Sequence, residues 1–243
     1  MPKTSVGISS VGSRTGKLLK SYLQERRVYD KDGPGVVCYG YNPGYDDRPI
    51  LNTHCNVPKV DRMHQMANAG VRLVPWYQGS VTSTAKYPLL ARTDYGFSGR
   101  DIMPVFQPEE VPWRVAAGWT WFSEYVPIAQ EYRVWVFRGY HLATYVKELV
   151  HPKEYKFIGR NHSNGFNFVL DHSRQDLTSE AIGAVRALEL DFGAVDIILG
   201  KDNNIYVLEV NTAPGVMKSH AEPTLALLAD HISNWVNEGF PPC

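Results

Sequence analysis

Hydrophobic and polar positions change period twice along this chain. A short β-like run at 5–9 leads into a Gly-containing loop at 11–16, after which Leu18, Leu19, Tyr22 and Leu23 fall on one helical face. A second strand is expected at 35–39, followed by a loop of Asn, Pro, Gly and Asp residues at 42–49. Pro58 suits the first helical position, so a helix is predicted over 59–69, stopped by Gly70, with a short strand at 71–75. The first third therefore reads as a small βαβ-type unit. The middle third is β-like at 87–92, 133–137 and 142–146, with few convincing helices. The last third returns to α/β alternation. A helix is predicted at 178–190 with Ile182, Val185 and Leu188 inward, then strands at 194–199 and 205–210. Pro223 opens a closing helix whose Leu225, Leu228, Ile232, Trp235 and Val236 recur at helical spacing. These stripes are read as core.

Composition narrows the function classes. The 243 residues carry 25 Lys plus Arg against 25 Asp plus Glu, so the net charge is zero. No basic excess points to nucleic acid and no polybasic run to a membrane surface. No apolar run approaches the roughly 20 residues of a bilayer span, and the opening residues lack the apolar core of a secretion signal. Cys38, Cys55 and Cys243 form neither a CxxC pair nor a disulfide framework, and no histidine spacing suggests zinc. A reducing, cytoplasmic setting is expected. The run from Gly12 to Lys17 imitates a P-loop but has one residue too few between its glycines, and Leu18 where Ser or Thr is needed. It reads as a strand-to-helix turn, with an anion held near Ser13 and Arg14 as a further reading.

The most informative stretch runs from Phe192 to Val216. Two β-like runs flank a polar turn at 201–204. A turn centred between Asp202 and Asn203 sets Asp196 opposite Glu209, and Asn211, two residues on, shares the face of Glu209. Facing carboxylates repel unless a cation lies between them. Asp, Glu and Asn are hard oxygen donors suited to Mg²⁺ that also carries phosphate oxygens. A solvent-facing hairpin is the alternative; the apolar neighbours Ile197, Ile198, Leu208 and Val210 argue for a buried sheet, where lone acids would be costly.

With Leu208-Glu-Val-Asn-Thr-Ala-Pro-Gly215 following Asp196 at this spacing, the chain resembles the ATP-grasp superfamily, in the branch of D-alanine–D-alanine ligase and the ligases that add glutamate to a ribosomal protein. The resemblance covers roughly residues 55 to 220. It implies an α/β ATP-grasp fold, two α+β subdomains clamping ATP, preceded by a small Rossmann-like unit. The expected boundaries are 1–78 for that unit, 79–125 for the small subdomain and 126–243 for the C-terminal subdomain with the metal site. Asp196, Glu209 and Asn211 would hold two Mg²⁺ ions, with Mn²⁺ as a substitute. Phe122-Ser-Glu-Tyr-Val-Pro127 resembles the hinge that reads adenine, through Glu124, Tyr125 and Val126, and Glu131 resembles the acid that binds the ribose hydroxyls. Arg92, with Gly96, Ser98 and Gly99, resembles the phosphate-side strand and its glycine-rich loop, and Arg62 lies in the segment resembling the family's Asp-Lys motif. The family usually has Lys at both arginine positions, and Arg is not a like-for-like swap. Lys147, Arg160 and Asn161 resemble the basic strand and loop that meet the γ-phosphate and the reacting carboxylate. Ala194 stands where some relatives carry Arg.

The resemblance thus implies an ATP- and Mg-dependent carboxylate–amine or carboxylate–thiol ligase acting through an acylphosphate. Its partners would be small-molecule or peptide carboxylates and amines, and a homodimer is compatible with it. A catalytically inactive ATP-binding regulator is the alternative.

Overall fold

The computed structural model describes residues 5–10, 13–44, 47–94, 102–150, 160, 165–215 and 222–242. The chain begins β1 (Val6–Ser10), α1 (Arg14–Glu25), β2 (Gly35–Tyr39), β3 (Ile50–Leu51). These strands form a parallel sheet in the order β1-β2-β3. Ser13 caps α1 by accepting from the Gly16 N–H at 2.9 Å, which places a helix start at the motif that imitates a P-loop.

Next come α2 (Lys59–Asn68) and the small sheet: β4 (Trp76–Gln78), β5 (Leu89–Arg92), β6 (Ile102–Val105) and β7 (Trp121–Glu124). Its order is β4-β7-β5-β6, with β7 antiparallel to both β4 and β5. The strand predicted at 71–75 does not form; Leu73 makes only an isolated bridge to Val207, and the strand starts one residue later. Gln78 pairs with Trp121, so the residues just before the boundary expected at 78 bond to the small sheet. A 3₁₀ turn (Pro108–Glu110) and α3 (Val111–Ala116) lie in the middle third, where few helices are expected from the sequence.

The remaining strands are long. β8 (Ile128–Phe137) and β9 (Tyr140–Leu149) form a hairpin, β10 (Phe166–Leu170) pairs with β9, and α4 (Leu177–Ala187) leads to β11 (Phe192–Gly200) and β12 (Ile205–Asn211). The chain closes with α5 (Glu222–Asn237). The five-stranded sheet runs β10-β9-β8-β11-β12, every neighbour antiparallel.

Two cores cover the two faces of this sheet. Tyr132, Val134, Val136, Val195, Ile197 and Val207 pack beneath α4, together with Val60, Met63 and Met66 of α2. Trp135, Phe137, Phe192 and Ala194 face the other way, against Leu225, Leu228 and Ile232 of α5 and Leu19 and Leu23 of α1. The N-terminal unit therefore shares a core with the large sheet. Asn52 joins them further: its side-chain amide donates to the Phe192 carbonyl at 2.9 Å, and its oxygen accepts from the Asp191 and Phe192 N–H groups.

Candidate active site

On the α1/α5 side, the large sheet changes character within one strand repeat. Trp135 and Ala194 are neighbours across β8 and β11, and both are buried in apolar contacts. Two residues further along each strand, the next pair is Arg133 and Asp196. That row continues to Tyr145 on β9 and to Glu209 on β12. One more step brings Glu131 of β8 opposite Ile198 of β11, with Lys147 of β9 opposite Phe168 of β10. Period-two alternation thus aims Arg133, Asp196, Glu209, Lys147 and Glu131 at one face.

The pairing of Asp196 with Glu209 agrees with the sequence expectation, but the route differs. The Gly200 N–H donates to the Asn204 carbonyl, and Ile197 pairs with Val207, so the turn is centred on Asp202 rather than beyond it. Asn203 takes a left-handed backbone, φ 62°, to close this loop. Continued without interruption, that register would set Leu208 against Asp196. A bulge between Asp196 and Ile197 adds the missing residue on β12 and turns Glu209 to the face of Asp196.

The cations between the acids are protein side chains. Arg133 grips Asp196 through two parallel hydrogen bonds, Nε to Oδ1 at 2.8 Å and Nη2 to Oδ2 at 2.7 Å. Lys147 Nζ lies 3.5 Å from Asp196 Oδ2 and forms an ion pair with Glu131. Asp196, Glu131 and Lys147 are 4%, 6% and 6% exposed, so each charge depends on its neighbours. The Phe168 ring covers both cations, its centroid 4.8 Å from the Arg133 guanidinium and 5.5 Å from Lys147 Nζ. Burial pushes the Asp196 carboxyl up, but Arg133, Lys147 and the hydrogen bonds from Arg133 and Asn211 draw it down to about 2. Burial, with the nearby Asp196 charge, raises the Glu131 carboxyl against the pull of Lys147 and Arg160.

Asn211 reaches the same point. Its Nδ2 donates to Asp196 Oδ2 at 3.3 Å and to the Ala194 carbonyl at 3.4 Å, which leaves its Oδ1 without a donor among the described residues. Glu209 is half-exposed and has the Lys59 ammonium 3.9 Å away. These three residues supply the hard oxygens that Mg²⁺ requires, two of them open outward, so the donor chemistry fits that ion. No cluster of three His, Cys, Asp or Glu that could hold a metal occurs among the described residues, so this set depends on Asn211.

The other anticipated residues divide. Arg92 lies across from the row: its guanidinium stacks 5.1 Å from the Trp121 ring centroid and donates to Ser123 Oγ at 3.4 Å. Burial disfavours its charge, and Glu209 and Glu131 are the carboxylates that offset this. Arg160 donates to the Ile128 carbonyl at 3.1 Å and adds a positive charge felt by Glu131. Arg62, by contrast, spends its donors on main-chain carbonyls: Val57 at 2.8 Å, Cys55 at 2.7 Å and Val210 at 3.1 Å. Three of its five N–H groups are engaged in this way. Glu124 accepts from Tyr77 Oη at 2.8 Å and from the Lys86 N–H at 2.9 Å, on the small sheet. Tyr125 is exposed and Val126 half-buried. Gly96, Ser98, Gly99 and Asn161 lie outside the described residues.

Comparison with known proteins fits this arrangement. Residues 161–235, which contain Asp196, Glu209 and Asn211, match the model of the RimK-like ATP-grasp domain. No curated protein matches the chain in sequence. The ATP-grasp ligase PsnB, solved with a phosphomimetic variant of a minimal precursor, Mg and ADP, superposes with a TM-score of 0.70 at 11% identity, over 97% of this chain and 99% of that one. This chain has the ATP-grasp fold. D-alanine–D-alanine ligase from Bacillus anthracis, complexed with ATP, is similar over 96% of this chain and 94% of that one, with TM-score 0.64 and 15% identity. N5-carboxyaminoimidazole synthetase from Staphylococcus aureus gives 0.64 and 14%, over 93% and 76%. No helix among the described residues is long and apolar enough to cross a membrane.

Sequence reasoning missed Arg133, which holds Asp196 through two hydrogen bonds. The signal was present: Arg133 stands two residues after Glu131, so it shares that residue's face on any strand through both. Starting the predicted strand at 133 instead of 128 hid it.

Proposed function

We propose that this ATP-grasp protein is an ATP- and Mg-dependent carboxylate–amine ligase. One observation carries the reading: one face of the large sheet sets Asp196, Glu209 and Asn211, all hard oxygen donors, near Arg133, Lys147, Lys59 and Arg92. That is a place for a multiply charged anion bridged by a divalent ion. Asp196, Glu209 and Asn211 would hold Mg²⁺, two ions in the full assignment, which supplies Lewis-acid charge to the phosphates of ATP.

The chain's own groups do the rest. Arg92 approaches the phosphates from the small sheet, with Glu124 to Val126 at the adenine end. Glu131 is the candidate for the ribose hydroxyls, once Lys147 turns from it to phosphate. Arg160, with Asn161 as a hydrogen-bond donor, stabilises the charge that develops as the γ-phosphoryl group passes to a substrate carboxylate. Attack of an amine on the acylphosphate then releases phosphate. Arg133 holds the Asp196 carboxylate in position and ionised. Substrates are small-molecule or peptide carboxylates and amines; the similarity to a ligase solved with a precursor peptide keeps peptides among them.

Incubation with Mg-ATP and pools of carboxylates and amines, with ADP as readout, tests this reading. A productive pair should transfer ¹⁸O from the carboxylate into phosphate; AMP as product would replace acylphosphate formation with adenylation. Mg-ATP should also stabilise the fold, by about 2.7 kcal/mol at a hundred times the dissociation constant. The carbonyl-bound Arg62 favours a second reading, a nucleotide-binding regulator without turnover. Stabilisation by Mg-ATP with no ADP release from any pool would select it.

A further inference from the structure

The small and large sheets meet on one helix. α2 begins at Lys59 after Pro58, which has no side chain to cap it. The orphan N–H of Val60 is met instead by Asp94 Oδ1 at 3.1 Å, from a residue 34 positions away, just past the end of β5 and two residues after Arg92. The same first turn of α2 is fastened to the metal hairpin, by Arg62 on the Val210 carbonyl and Lys59 beside Glu209. We propose that Asp94 is a positioning residue for nucleotide phosphate: it latches the strand carrying Arg92 to the helix that is anchored at Glu209 and Val210. This rests on the nucleotide-binding reading above.

The other links between α2 and the small sheet run through β4 and β7. His64 touches the Trp76 ring edge-on at 4.7 Å and shares a hydrogen bond of 2.8 Å with Gln78, on the outer strand β4. Val60, Met63 and Met66 pack in the same cluster as Trp121. Apolar packing is non-directional, and the His64 hydrogen bond fixes the outer strand β4, not the end of β5. The Asp94 hydrogen bond has a direction, it lies at the β5 end nearest Arg92, and it offsets an orphan helix donor. Without it, Arg92 would remain folded in its strand but lose its fixed distance from Glu209.

Asp94→Ala and Asp94→Asn test the latch. Asn caps helices as well as Asp does, whereas Ala does not. Hydrogen exchange at the Val60 amide should quicken about tenfold in Asp94→Ala, and Mg-ADP measured by calorimetry should bind about tenfold more weakly. Asp94→Asn should restore both to within about threefold of wild type. A lower melting temperature in Asp94→Ala with unchanged Mg-ADP affinity would reduce Asp94 to a stabilising cap and overturn the proposal. Unchanged Val60 exchange would overturn the contact itself. A wild-type protein that binds no Mg-ADP would overturn the nucleotide reading and the latch's role in it, whatever the exchange data show.

Discussion

The two sheets treat charge in opposite ways. In the large sheet Asp196, Lys147 and Glu131 are buried on adjacent strands at fixed register, and they neutralise one another with Arg133. In the small sheet Arg92 has an aromatic ring and a hydroxyl, and its compensating carboxylates belong to the other sheet. The large sheet balances its buried charges within itself, whereas the charge on the small sheet is balanced from outside it. On the proposed reading this asymmetry suits a clamp: one jaw holds the oxygen donors in register and the other brings positive charge to the nucleotide.

The sharpest way to break the comparison is Asp196→Ala. It leaves the Arg133 and Lys147 charges buried with too few partners, so it should cost about 3–5 kcal/mol in urea unfolding and remove ADP release. The same residue fixes a pH dependence. Its carboxyl is drawn to about 2, below the unfolded value of about 3.9. The stability it contributes is therefore present above pH about 4 and lost as pH falls toward 2. Acid titration of the melting temperature should show this loss in wild type, and less of it in Asp196→Asn.

Glu209→Gln probes the exposed end of the same row. Turnover should fall on the order of 100-fold, through loss of a charge facing metal and phosphate, while stability changes by less than about 0.5 kcal/mol. ADP release beside paired melts reads both, and wild-type turnover would remove Glu209 from the site. Arg62→Lys should reverse that pattern. An ammonium cannot span three carbonyls, so about 1–2 kcal/mol of stability should be lost, with Mg-ATP affinity the smaller change. Equal losses in both would return Arg62 to the phosphates. Arg92→Lys should move least, within about threefold in Mg-ATP affinity by calorimetry, because charge rather than fork geometry is what the small sheet supplies.

Legibility followed the range of the interactions. The β11–β12 hairpin was readable because both strands and their turn lie within 20 residues, and its paired acids stand out against apolar neighbours. The helices α1, α2, α4 and α5 were readable from apolar periodicity, with boundaries displaced by a few residues. The strands β6, β7 and β10 were not, since each is only four or five residues long and gains its identity from distant partners. Arg62 and Glu124 were legible as charges but not as contacts: nothing local indicates that three carbonyls converge on one, or Tyr77 and Lys86 on the other.

By itself the sequence determined the alternation of elements, the polar turn and the oxygen donors Asp196, Glu209 and Asn211, because each is encoded by residue type and short spacing. Tertiary structure alone decided which charges meet. Arg133 reaches Asp196 across 63 residues only because β8 lies beside β11. Glu209 turns to the same face only because a bulge shifts β12 by one residue. Such a shift reverses a strand's faces and is fixed by the packing of the whole sheet, which no local window of sequence contains.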